Sequence, residues 1–188
     1  CNNAVTKKIL VMSKGKATID KAAKTITVPA GGTSHEEQTV ELTDAGNLTF
    51  QVTANNDKYS VDIPANGYYV LNAKVDTIIG SYQAYNAPSA QSKTITQESI
   101  KHSIDSLQQL LQGNASAANK TFYILPGKAV KITDNMDATF VGPFNSLTTL
   151  EQTGDKAPEV YKFYTSKDVR ETIAHLQNLT VAPPPPNQ

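Results

Sequence analysis

Each of the chain's three histidines has acidic residues nearby, the combination from which metal sites and acid–base catalysis are built. Glu98, His102 and Asp105 fall at i, i+4 and i+7. On a helix they share one face, and two carboxylates with an imidazole suit a hard or borderline metal. The apolar residues Ile100, Ile104, Leu107 and Leu111 form a stripe on the opposite side. The histidine face is therefore the solvated one, and Glu98–His102 is an ordinary i, i+4 pair. Ser99, His102, Ser103 and Asp105 also supply the residue types of a hydrolase triad. A triad nucleophile belongs on a strained turn with its base brought from elsewhere, and no G-x-S-x-G elbow occurs. His35, Glu36 and Glu37 follow a Gly31-Gly32 turn. Alternate residues of a strand share a face, so His35 and Glu37 can converge while Glu36 cannot. The expected role is a charged start to an edge strand. His175 follows Glu171 by four and reads as another solvated pair. Phosphate-cradling, dinucleotide and zinc motifs are all missing. The sequence thus assigns no catalytic residue, metal ligand or cofactor.

Tyrosine offers a different chemistry. There are eight tyrosines and no tryptophan, with pairs at Tyr68/Tyr69, Tyr82/Tyr85 and Tyr161/Tyr164. Tyrosine stacks on sugar faces and anchors protein interfaces. Tyr69 and Tyr161 are expected in the core. Tyr82 and Tyr85 adjoin a polar linker and are the expected ligand-binding residues.

Those side chains must be held by elements, and residues 8–80 read as short strands. Lys8 to Met12 is an apolar run, and Ile26 and Val28 alternate with threonines before Pro29. Val40 and Leu42 share a face, as do Leu48, Phe50 and Val52, and Tyr59, Val61 and Ile63. Turns are expected at Asp44–Asn47, Asn55–Asp57 and Pro64–Gly67, the first as a hairpin-type turn. The small polar stretch 86–94 reads as a linker. Beyond it a helix is expected over 97–112, capped by Thr96, and a hairpin over 121–132 about Pro126-Gly127. A strand at 138–141 follows. A strand at 160–164 then leads into a second helix capped by Thr165 or Ser166, with Val169, Ile173 and Leu176 inward. The expected fold is mostly β with two helices. An antiparallel β-sandwich over 8–85 precedes a small α+β domain over 95–182, between a tether at 1–7 and a proline-rich tail at 183–188.

At Val61-Asp62-Ile63-Pro64-Ala65-Asn66-Gly67-Tyr68-Tyr69-Val70 a strand, a Pro-x-x-Gly turn and a tyrosine-led return strand follow one another. This resembles the small prealbumin-like or carboxypeptidase-regulatory-like β-sandwiches of secreted bacterial proteins. The resemblance implies a fold type and no activity.

Lys+Arg and Asp+Glu are both 17, and the single arginine is Arg170, so the basic footprint of a nucleic-acid binder is missing. Residues 1–34 carry Lys7, Lys8, Lys14, Lys16, Lys21 and Lys24 against Asp20, and 35–63 carry six acids against Lys58. Pairing between those strands would match the charges. The alternative is a basic patch facing anionic lipid. The one cysteine is Cys1, followed by Asn2-Asn3-Ala4, and no disulfide can form within the chain. A chain beginning in this way resembles a mature bacterial lipoprotein of Bacteroidota type. That resemblance implies a lipid on Cys1, a cell-envelope location and an anchor in the outer membrane; Lys7 and Lys8 favour the periplasmic face. The expected function is a non-enzymatic binding or scaffold module, with an envelope protein or a glycan as partner. The alternative is a carboxylate-dependent hydrolase acting on carbohydrate, which needs two convergent acids in a cleft.

Overall fold

The computed structural model describes residues 4–83, 101, 104–105, 108, 121–141 and 159–180. Eight strands come first: β1 (Lys7–Lys14), β2 (Thr18–Asp20), β3 (Thr25–Thr27), β4 (His35–Leu42), β5 (Leu48–Ala54), β6 (Asp57–Ile63), β7 (Gly67–Asn72) and β8 (Ile78–Gln83). Then come β9 (Thr121–Ile124), β10 (Ala129–Thr133), β11 (Thr139–Val141) and β12 (Val160–Thr165), followed by the helix α1 (Ser166–Thr180).

The strands form three stacked sheets. The central one has the order β10-β7-β1-β4, flanked by β2-β3-β5-β6 on one side and β11-β12-β8-β9 on the other. The apolar run in β1 explains the middle position, because a strand covered on both faces has no polar side to offer. Ile9 and Val11 enter one core with Tyr69 and Leu71 of β7, against Phe50, Val52, Val61 and Ile63. Leu10 and Met12 enter the other with Tyr68 and Val70, against Ile78, Ile124, Tyr161 and Phe163. A third, smaller cluster joins Ile79 of β8 to Val169 and Ile173 of α1, with Leu176 half-buried beside it. The helix begins as expected: the Asp168 amide donates to Thr165 Oγ1, and the Asp168 carboxylate accepts from the Thr165 amide and hydroxyl.

Three features differ from the expectation. First, the sheets are mixed, since β1 with β7, β3 with β5 and β11 with β12 pair parallel. Second, the Asp44–Asn47 and Pro126-Gly127 turns join strands of different sheets and make no hairpin. The Pro64–Gly67 turn crosses in the same way, from β6 to β7. Alternation shows which face of a strand is apolar, and the same turn chemistry serves a hairpin or a corner between sheets. Asn55-Asn56 is a true hairpin, with Ala54 opposite Asp57 and φ of 55° and 66° at the two turn residues. Third, strands from both sides of 86–94 share sheets: β10 pairs with β7, and β8 pairs with β9 and β12. The expected helix over 97–112 falls mostly outside the described residues. Within it, Lys101, Ile104, Asp105 and Gln108 are helical, and Ile104 is buried against Ile79 and Val169.

The segregated charges meet by strand pairing. β1 lies antiparallel to β4, Lys8 opposite Glu41 at 3.3 Å. Lys7 is fully buried, and its ammonium donates to the Asp44 carbonyl (2.6 Å) and to Asn66 Oδ1 (3.1 Å). One cation thereby ties together two of the corners where the chain changes sheet.

Candidate functional site

Three connections meet at one end of the sheets: the Asn55-Asn56 hairpin, the β7–β8 loop and the β9–β10 turn. They enclose an open cleft of about 480 Å³, lined among others by Asp57, Lys58, Tyr59, Lys74, Val75 and Lys128. That size lies within the usual range for ligand pockets.

Asn72 ties the β7–β8 loop to the β9–β10 turn. It ends β7, is fully buried, and uses every part of its amide. Nδ2 donates to the carbonyls of Asp76 (2.7 Å) and Ile124 (2.9 Å), while Oδ1 accepts from the Lys74 amide at 2.9 Å. Its backbone carbonyl accepts from Gly127, and its N–H donates to the Lys128 carbonyl. Asn55 adds a bond from its side chain to the Ala73 carbonyl. Gly127 sits at φ 75°, a left-handed conformation that glycine adopts without strain, and a Cβ there would touch the Tyr59 ring.

Two groups in this cleft are held out of their ordinary state. The Tyr59 hydroxyl is buried and has no hydrogen-bond partner among the described residues. Burial, and then the neighbouring Asp57 carboxylate, push its pKa up, so it stays a donor. Lys74 is 4% exposed. Burial first and Lys14 second pull its pKa down, against the opposing pull of Asp168, Asp76 and Glu37. Its Nζ lies 2.9 Å from His35 Nδ1, and His35 Nε2 lies 2.8 Å from Glu37 Oε1. With Lys74 charged, Nδ1 accepts and Nε2–H donates to Glu37, so carboxylate, imidazole and amine form one chain. The convergence of His35 and Glu37 follows from strand alternation; Lys74 as their third member does not.

Rims and walls differ in character. Val75 is 60% exposed and Leu125 57%, two of the three large hydrophobic side chains so exposed among the described residues. Val75 lines the cleft, and Leu125 precedes the lining residue Pro126. Lys58, Lys128 and Asp57 are exposed and form no ion pair with one another or with any other described residue.

No protein-family model, curated protein or solved structure matches this chain.

Tyr82, one of the expected tyrosine pair, does not line this cleft. Tyr82 is half-buried, its ring 5.4 Å from that of Tyr161 at the margin of the second core. Tyr85 and Cys1 lie outside the described residues, as do Glu98, Ser99, His102 and Ser103. Asp105, Glu171 and His175 are exposed, and Glu171 meets Lys167 at 3.8 Å. Among the described residues no group of three or more His, Cys, Asp and Glu is arranged to hold a metal. Asp57 is the one carboxylate lining the cleft among the described residues. Glu159 sits elsewhere, accepting hydrogen bonds from Tyr161, Thr133 and Asn135. Together with burial, the first of these raises the Tyr161 pKa. Tyr59, Asn72 and Lys74 escape the sequence reading. The visible signal is Asn72 itself, an amide at the end of an otherwise apolar run.

Proposed function

We propose that this protein is a non-enzymatic binding module of the bacterial cell envelope, and that the cleft between the Asn55-Asn56 hairpin, the β7–β8 loop and the β9–β10 turn takes its ligand. The observation that carries the reading is the meeting of exposed apolar groups and exposed, unpaired charges at one cleft. Val75 and Leu125 stand more than half exposed there, and Lys58, Lys128 and Asp57 form no ion pair with any described residue. Exposed apolar surface of this kind marks interaction sites, and a ligand would cover it. Stacked sheets fix the three connections, and binding residues are commonly carried on loops positioned by such a scaffold. The envelope location and a lipid on Cys1 belong to the same proposal and rest on the chain's single cysteine.

The test is a calorimetric titration of the intact protein against neutral oligosaccharides, acidic oligosaccharides and short peptides. Val75→Trp serves as a variant that fills the mouth without entering the core. Saturable binding that Val75→Trp abolishes, with unfolding unchanged, is the expected result. Binding by none of the three classes, or binding indifferent to Val75→Trp, would overturn the proposal.

A further inference from the structure

Resting on that reading of the cleft, we infer that its ligand is a carboxylated saccharide, a hexuronate unit of an acidic glycan. The lining contributes three cations, Lys58, Lys74 and Lys128, against one anion, Asp57. Lys58, on β6, and Lys128, on the β9–β10 turn, are exposed, and neither forms an ion pair with a described residue. Lys74 is buried in the wall, braced by His35 with Glu37 behind it, and Asp168 and Asp76 also act on its charge. An anionic group entering the cleft therefore meets two exposed lysines, Lys58 and Lys128, that no described carboxylate pairs with.

Charge alone would fit any anion, and the remaining lining narrows the class. Asp57 is an acceptor-only carboxylate beside the lysines. It repels a dense polyanion such as a nucleic acid or a polyphosphate, and it accepts hydrogen bonds from hydroxyl groups. Tyr59, Val75, Pro126 and the exposed Leu125 beside them supply apolar surface. A hexuronate answers each requirement. Its carboxylate meets Lys58 or Lys128, its hydroxyls donate to Asp57, and its C–H face covers the apolar lining. A neutral sugar leaves the lysines unused, and an acidic peptide carries no hydroxyl array for Asp57.

The experiment titrates the intact protein with oligogalacturonate, the same oligomer methyl-esterified, and polyglutamate. The ester removes the charge and keeps the sugar, while polyglutamate keeps the charge and removes the sugar. Expected is binding of the free acid that weakens as salt rises, with at least about tenfold weaker binding of both comparison ligands. Lys58→Gln with Lys128→Gln, two exposed changes that leave the core untouched, should cost a further loss of about tenfold or more, as expected for charge-assisted contacts. Equal binding of acid and ester, or of polyglutamate and acid, would overturn the inference, as would a lysine double variant that binds the acid undiminished. In the equal-ester case the cleft would still be a saccharide site and the broader proposal would stand. Failure of every ligand class would remove both.

Discussion

Replacing Asn72 with Ala deletes the side chain that ties the β7–β8 loop to the end of β9. Three hydrogen bonds disappear: Nδ2 to the Asp76 carbonyl, Nδ2 to the Ile124 carbonyl, and the Lys74 amide to Oδ1. At a net value of about 1 kcal/mol each, these contribute about 3 kcal/mol. Asn72 and Ile124 are both fully buried, so water does not readily take over the stranded groups. An unsatisfied buried carbonyl or amide costs about 1–3 kcal/mol, which raises the expected loss to about 3–5 kcal/mol. That is a large part of the roughly 5–15 kcal/mol that holds a typical domain. Urea unfolding should show the midpoint falling by this amount with the slope retained. Thr49→Ala, on the exposed face of β5, is the control and should stay within about 0.5 kcal/mol. Asn72→Asp sharpens the test. It keeps the acceptor for the Lys74 amide but sets a carboxylate against two carbonyl oxygens, which favours its protonated form in the folded state. Stability relative to the native chain should then recover as the pH falls from about 7 towards 4, because the folded state takes up the proton first. A loss below about 1 kcal/mol for Asn72→Ala would show that the amide does not hold the site together.

Tyr59→Phe should raise the melting temperature, since it removes a desolvated hydroxyl worth about 1 kcal/mol; a destabilised variant would mean that the hydroxyl is already satisfied. Lys74 has a depressed pKa, so the unfolded chain binds more protons just below the ordinary lysine value and stability rises with pH there. Measured against Lys74→Met, the native chain should therefore gain stability as the pH rises towards the ordinary lysine value of about 10.4, and a flat difference would refute the assignment. Gly80→Ala would push a Cβ into the Phe163 ring and should cost about 1–3 kcal/mol in denaturant titrations, with a neutral result showing that the ring can yield. Expressed from its native gene, the Cys1→Ser variant should lose both labelled fatty acid and membrane fractionation; retention of both would remove the proposed lipid attachment.

Individual strands were legible because alternation reports burial directly. Phe50 and Val52, Val61 and Ile63, and the apolar run in β1 all lie where their periodicity puts them. Partnering was not legible. The same turn residues, Pro64–Gly67 or Pro126-Gly127, can return a strand to its own sheet or send it to the next. Which happens depends on apolar faces far away in sequence, such as that of β10 meeting β7. The lysines of β1 facing the acids of β4 could be anticipated, because opposite charges in neighbouring segments favour cross-strand pairing. The cleft is a product of that long-range partnering. Asn55, Lys74 and Gly127 come from three separate connections, and no local pattern announces that they meet. Tyrosines beside a polar stretch drew attention to Tyr82, yet its ring serves the core, while Tyr59 at the start of an edge strand reaches the cleft.

Whether this protein meets its ligand in the cleft is tested most directly by a backbone NMR titration of the intact chain with oligogalacturonate, following amide shifts residue by residue. Saturable shifts concentrated at Asn55, Lys58, Tyr59, Lys74, Val75, Gly127 and Lys128 are expected, with α1 and the outer face of β5 silent. Saturable shifts centred elsewhere, or none at these residues at any ligand concentration, would contradict that placement.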